Sequence, residues 1–271
     1  MPHGTRSDGL LQLDHLAALE FAGADASAFL HGQLSSDVLG LAVGDSHLTS
    51  YSTPKGRVVA ILRLIRKPDR LIGVLPADLA VPVLERLRKY VLRAKVTLRV
   101  ATELVAFGTT SAPDRLIVGA PSAPRTAADS EPRIAAWKRA NIAAGIAQVY
   151  AATSELFVAQ MLNLDLVNAI SFRKGCYTGQ EIIARTQNLG RIKRRMLRLE
   201  VRTDDAIAVG GTVSLGRFGL GTVVEAASGA HGHLELLAVV HLEPQAGATS
   251  EAAPIDLEAR ELPLPYAIKD R

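Results

Sequence analysis

Apolar residues recur along the chain with two different periods, and the change between them divides it. Residues 25–39, DASAFLHGQLSSDVL, predict a first helix with Asp25 as N-cap and Phe29, Leu30, Leu34 and Val38 as its inner stripe. VVAILRLIR at 58–66 and RLIGVL at 70–75 predict two strands, joined by the turn residues Lys67-Pro68-Asp69. Pro82 is expected to open a helix through Tyr90, because proline is tolerated in a first turn. KVTLRV at 95–100 alternates as a half-buried strand does, and APSAPRTAADSEP at 120–132 has the composition of a surface loop. A helix from Trp137 to Ile142 ends near Gly145. From 194 the texture changes: RRMLRLEV sets Leu197, Leu199 and Val201 against Arg198, Glu200 and Arg202. GTVSLGRFGLGTVVEAASGAHGHLELLAVVHLE then gives short strands with Gly-rich turns, the pattern of a small β-barrel or sandwich. The expected units are 1–193 and 194–271, with no internal repeat.

Between these regions lies SFRKGCYTGQEIIARTQNLGR at 171–191. Thr178 followed by Glu181 has the form of a capping box, and Ile182, Ile183, Thr186 and Leu189 make the inner side of the helix it opens. Gln180, Glu181, Arg185 and Asn188 fall mostly outside, with Gly190 at C′. Cys176 stands just before this helix with Arg173 and Lys174 close in sequence, and all three features favour the thiolate. Gly175 and Gly179 are expected to let the backbone turn sharply on either side. A small buried residue is the alternative, since free cysteine is among the most buried residue types.

Composition narrows the chemistry. The chain has 271 residues, of which 48% are hydrophobic and only 4% aromatic, so its interior rests on aliphatic side chains. A single Cys rules out an internal disulfide and suits a reducing compartment. It also rules out a cluster held by this chain alone, which takes four thiolates. No secretory pattern survives Asp8, Asp14 and His15, and LIGVLPADLAVPVL is too short and too broken to span a bilayer, so a cytoplasmic protein is expected. A net charge of +4 permits an anionic partner. Arg191, Lys193, Arg194 and Arg195 form the densest basic run; a solvated strand start is favoured over an RNA reader, because no stacking aromatic lies nearby. His231-Gly232-His233 is expected to be a solvated turn rather than a metal site.

KGCYTGQE at 174–181, set between QMLNLDLVNAISFR and IIARTQNLGRIKRR, resembles the signature of the YgfZ-type folate-binding proteins, relatives of the glycine-cleavage T-protein (aminomethyltransferase). FLHGQLSSDV at 29–38, YSTPKGRV at 51–58 and a Trp helix ending in AAGI at 143–146 extend the resemblance over most of the first 195 residues. It implies an α+β fold of intertwined subdomains with a C-terminal β-barrel around a central opening for tetrahydrofolate or a one-carbon derivative. It also implies a role in building or repairing iron–sulfur clusters in selected enzymes, including those that thiolate tRNA. The expected partners are those client enzymes or assembly factors, with only indirect contact to tRNA. The protein is expected to act as a monomer, away from membranes, with no stably bound metal or cluster.

The resemblance carries the functional thiol to Cys176, and its flanking positions to Lys174, Gly175, Tyr177, Gly179, Gln180 and Glu181. A folate-contacting Trp maps to Trp137, for which packing against the neighbouring sheet is the alternative. Lys55 and Arg57 could meet the glutamate tail of folate or could simply flank a solvated hairpin. Three departures stand out. Val58, Val59, Ala60 and Ile61 occupy the stretch where transferases carry an acidic catalytic residue, so transferase chemistry is not expected. Ala143 replaces a Glu of many relatives, and Leu16 replaces an aromatic of some.

Overall fold

A computed structural model gives the structure over residues 10–121, 127–189, 191–229, 232–243 and 254–268. The elements run β1 (Leu11–Gln12), β2 (Leu16–Ala22), α1 (Ala26–Gln33), β3 (Ser46–Ser52), β4 (Val58–Arg66), β5 (Arg70–Pro76), α2 (Ala77–Arg88), β6 (Thr97–Val100), β7 (Val105–Gly108) and β8 (Leu116–Gly119). There follow α3 (Ala127–Ala143), α4 (Gln180–Leu189), β9 (Arg194–Arg202), β10 (Thr212–Ser214), β11 (Leu220–Ser228), β12 (His233–His241), β13 (Ile255–Asp256) and β14 (Ala259–Leu262).

Three sheets result. A five-stranded antiparallel sheet has the order β3-β4-β5-β2-β6, and a three-stranded one the order β1-β7-β8. Neighbouring strands β1 and β2 thus enter different sheets, which intertwines the two halves. Both faces of the five-stranded sheet are covered, which is why β4 is an almost unbroken apolar run. Leu19, Phe21, Leu71 and Leu75 point into the main core, while Leu16, Ala18, Ile72 and Val74 point into a second one around Trp137.

The six-stranded C-terminal sheet, β13-β10-β11-β12-β9-β14, begins at Arg194. It is curled into a half-barrel around Leu197, Leu199, Val201, Val223, Leu236 and Val240. Its other face sends Met196, Val224, Leu237 and Val239 into the main core, so this sheet is bonded to the rest by shared burial. The α+β class with intertwined halves, expected from the resemblance, is the observed one. Among the described residues no helix is long and apolar enough to cross a membrane.

Several local expectations are corrected. α1 stops at Gln33 because Leu34 turns extended, with φ −103° and ψ 154°, and pairs with Tyr51. The stripe Phe29, Leu30, Leu34 and Val38 is nonetheless buried. Asp25 sits at the cap position but makes no side-chain cap; its carboxylate accepts the Lys95 amide instead, at 2.7 Å. Pro82 lies inside α2, not at its start. α3 begins at Ala127, so 127–132 are helical rather than looped, and Pro132 is inside the helix. Residues 122–126 of that loop, Gly190 and His231 lie outside the described residues.

Candidate functional site

Three segments far apart in sequence meet around Cys176. Tyr177 is the anchor: its ring is 7% exposed and joins the main core, and burial pushes its phenol up to about 12. Lys174 Nζ donates to the carbonyls of His31, Leu34 (2.7 Å) and Ser36 (2.9 Å), closing the orphan acceptors at the end of α1. The same ammonium lies 4.9 Å over the Tyr177 ring. Burial pulls Lys174 down to about 8, opposed by Asp37.

The second contact is glycine against glycine. Gly179 has φ +85°, and a Cβ there would come within 2.6 Å of the Thr53 carbonyl. Gly56 has φ +71°, and its Cβ would stand 2.8 Å from Ile182. Only residues without a side chain let the two turns lie this close. The hairpin carrying Lys55 and Arg57 is thereby docked onto the start of α4. Lys55 is exposed; Arg57 is exposed and donates to the Leu156 carbonyl at 2.7 Å. Gln160 Nε2 donates to the Ile183 carbonyl at 2.7 Å, fixing the helix from beneath. Held on these sides, Cys176 is exposed, as are Gly175 and Glu181, while Gln180 is half-buried.

Three expectations change here. Thr178 is not the cap: its hydroxyl donates to Gln33 Oε1 at 3.2 Å, and the Gly179 carbonyl accepts the first helical bond from Ile183. Lys174 does not face the sulfur as a free cation, because its three donors are all taken by carbonyls. Gly175 needs no glycine conformation; its φ is not positive, and nothing lies within 4 Å of a Cβ built there.

Trp137 lies elsewhere, 1% exposed, in the second core. The Arg63 guanidinium covers its ring at 4.8 Å and His15 meets it edge-on at 5.4 Å. Arg63, fully buried, donates to Gln148 Oε1 at 2.8 Å and Asn141 Oδ1 at 2.5 Å. Burial pulls Arg63 down to about 10, with Tyr150 and Asp114 opposing. His15 is pulled down to about 4 by burial, then by Lys138 and Arg63. Trp137 Nε1, Arg63 Nε, Gln148 Nε2 and both His15 nitrogens have no hydrogen-bond partner among the described residues. Beside them Glu225, 2% exposed, takes Lys138 Nζ at 3.1 Å and the Tyr150 hydroxyl at 2.5 Å. Burial, then Glu225, raises the Tyr150 phenol far above its ordinary value. Arg63 and Glu225 were missed from the sequence, although each is a lone charge inside an apolar strand.

Two clefts adjoin each other. One of about 390 Å³ is lined by Ser46, His47, Leu48, Asp114, Ala144, Ile146, Val167, Asn168, Pro265 and Tyr266, thus by five segments of the chain. The other, of about 380 Å³, runs from Ser36, Asp37 and His47 along Asn168 and 170–173, toward the Cys176 turn. They share His47 and Asn168. Asn168 holds φ +57°, a left-handed conformation that asparagine tolerates better than most residues. His47 pairs with Ser36 Oγ at 2.8 Å, and burial lowers its protonation, with Asp37 opposing and Lys174 adding to the effect.

The basic run also divides. Arg195 is 2% exposed and forms a two-pronged pair with Asp165 at 2.7 and 3.0 Å, so it is not part of a solvated face. Arg191 meets Glu243 at 2.8 Å. Half-exposed His233 stands 3.8 Å from Glu200.

No family model matches the chain. An uncharacterized protein of Haemophilus influenzae is 30% identical over 220 residues, covering 76% of this chain and 78% of that one. A tRNA-modifying protein YgfZ of Colwellia psychrerythraea is 29% identical over 69% of the chain and 70% of its own length. A protein of the same name from Klebsiella pneumoniae is 27% identical over 96% and 94%. Among solved structures, the glycine cleavage system aminomethyltransferase T of Bartonella henselae superposes with a TM-score of 0.64, covering 86% of this chain and 78% of that one at 16% identity. That likeness establishes the fold.

Proposed function

Since the chain belongs to the YgfZ family, we propose that it binds tetrahydrofolate or a one-carbon derivative and serves the assembly or repair of iron–sulfur clusters in selected enzymes. Enzymes that thiolate tRNA are among the clients, and the protein acts in the cytoplasm. The observation that carries this reading is the way FLHGQLSSDV, YSTPKGRV and KGCYTGQE, remote in sequence, combine to hold one exposed sulfur in a rigid turn. A structural cysteine would be buried; this one faces outward while the residue after it is the anchor.

The cleft at His47 and Asp114 fits a pterin by its donor set. The Asp114 carboxylate suits the amide and amino edge of such a ring; His47, Asn168 and Tyr266 offer further polar contacts, and Leu48, Ile146 and Val167 apolar walls. When bound, tetrahydrofolate supplies a reduced pterin that can carry a one-carbon unit. The chain's own residues hold the ring and keep Tyr266 in place through its bond to the Gly145 carbonyl at 2.7 Å, while the adjoining cleft ends at Arg173, three residues before Cys176. There the thiolate offers one ligand to an iron of the cargo cluster, with the remaining ligands coming from the client. A one-carbon transferase is disfavoured: Val58, Val59, Ala60 and Ile61 are at most 2% exposed, and none is a carboxylate.

Titration with tetrahydrofolate, followed by fluorescence of the only Trp, tests the binding step. Asp114 bears on Arg63, which covers the Trp137 ring, so the emission is read together with the heat of binding. A saturable change is expected, weakened at least about tenfold in Asp114→Asn by loss of a charge-assisted hydrogen bond. No change in emission and no heat of binding would overturn it.

A further inference from the structure

With Arg195 and Arg191 paired, the rest of the basic run remains to be explained. Arg194 and Lys193 open β9, where Arg194 is in register with His241 and the Lys193 carbonyl accepts the Leu242 amide at 2.9 Å. Arg57 approaches from the other side: it pairs with Val158, two residues before Gln160, whose carbonyl holds Arg195 at 2.9 Å. The Gly56–Ile182 contact fixes this hairpin against α4. The charge of Arg57 thus reaches Arg194, and Arg194 and Lys193 both bear on His241, so cations from two parts of the fold gather here. No carboxylate pairs with Arg57, Lys193 or Arg194 among the described residues, and Arg194 Nε is buried with no hydrogen-bond partner.

Like charges gathered without a counter-charge destabilise the free protein. Burial, then Arg57, lowers the Arg194 guanidinium, and burial, then Arg194 and Lys193, disfavours a charged His241. An anion bridging the two arginines relieves this repulsion, and guanidinium forks match phosphate oxygens in pairs.

We propose that Arg57, Lys193 and Arg194 form a docking site for the phosphodiester backbone of an RNA, where the hairpin that packs on Gly179 approaches the start of β9. The site reads backbone and not sequence, because the residues that form it are cations without a base-stacking ring. It would set an RNA against the same turn that presents the thiol, giving direct contact where the resemblance implies only an indirect one.

The test uses the full chain and a fluorescein-labelled unmodified tRNA transcript, read by anisotropy across a salt series. Saturable binding is expected, with log affinity falling against log salt at a slope of about −2 to −3, as three phosphate contacts require. Arg57→Gln and Lys193→Gln, both at exposed positions, should each weaken binding about tenfold at low salt and reduce the slope by about 1. Arg217→Gln, an exposed arginine stacked on Phe218 in another part of the fold, should change neither. Arg194→Gln, checked for folding by circular dichroism, should match the first two. Absence of binding at about 50 mM salt overturns the site, as does binding that all the variants retain with an unchanged slope. So does displacement of the transcript by a short polyglutamate peptide at equal charge concentration, since the patch would then be selecting a carboxylate tail.

Discussion

The turn around Cys176 and the cluster around Trp137 both gather side chains from remote segments, and they treat polarity in opposite ways. At the turn, donors find partners: Lys174 closes three backbone carbonyls, Thr178 reaches the Gln33 side-chain oxygen and Gln160 reaches the Ile183 carbonyl. Most of the scaffold's donors are matched, although Gln160 Oε1 and Ser52 Oγ are buried without a partner among the described residues, and Cys176 at the tip faces outward. In the cluster, Arg63, Gln148, Trp137 and His15 keep nitrogen atoms without partners among the described residues, while one carboxylate, Glu225, serves a lysine and a tyrosine. A frame tied by backbone hydrogen bonds is rigid and tolerant of change at its tip; an interior with several unpartnered nitrogens is sensitive to charge.

The largest effect should come from the interior. Glu225→Ala leaves Lys138 and Tyr150 without their acceptor and should cost about 4 kcal/mol in urea unfolding, with Glu225→Gln losing less because its amide oxygen still accepts from Tyr150. Next is acid. His15 is pulled down to about 4 from an ordinary 6.5, so the unfolded chain binds more protons between these values. Stability is full above pH 6.5 and falls as pH drops toward 4, by up to about 3 kcal/mol, and His15→Leu should flatten that part of the curve. His31, His47 and His241 are shifted in the same direction, which is why the variant is needed to isolate His15.

At the turn the effects shrink. Lys174→Met opens the end of α1 and should cost about 2 kcal/mol. Gly179→Ala should cost about 1–2 kcal/mol from its left-handed backbone alone and should displace the turn. Gly175→Ala, in open space, should stay within about 0.5 kcal/mol of the parent protein. A Gly175 variant as damaged as the Gly179 one would erase the contrast between frame and tip.

Much of this was legible in the chain, for physical reasons that differ by place. The alternation of RRMLRLEV and the Lys67-Pro68-Asp69 turn gave strands where strands occur, because one face of each must be buried. Helix ends were not legible: α1 stops where Leu34 finds Tyr51, a partner 17 positions on that no local signal names. The Thr178 cap failed because Gly179 takes the cap position and frees the hydroxyl for Gln33. The eight-residue motif located the thiol, but not which neighbour would serve it, since Lys174 turned to α1. Arg63 and Glu225 carried a signal, a charge in an apolar strand; what they meet depends on the topology.

The account stands most directly on one comparison in cells that lack this factor. Cys176→Ala should unfold at the same denaturant concentration as the parent protein yet fail to restore the cluster-dependent enzymes. Full restoration by that variant would contradict a working role for the sulfur.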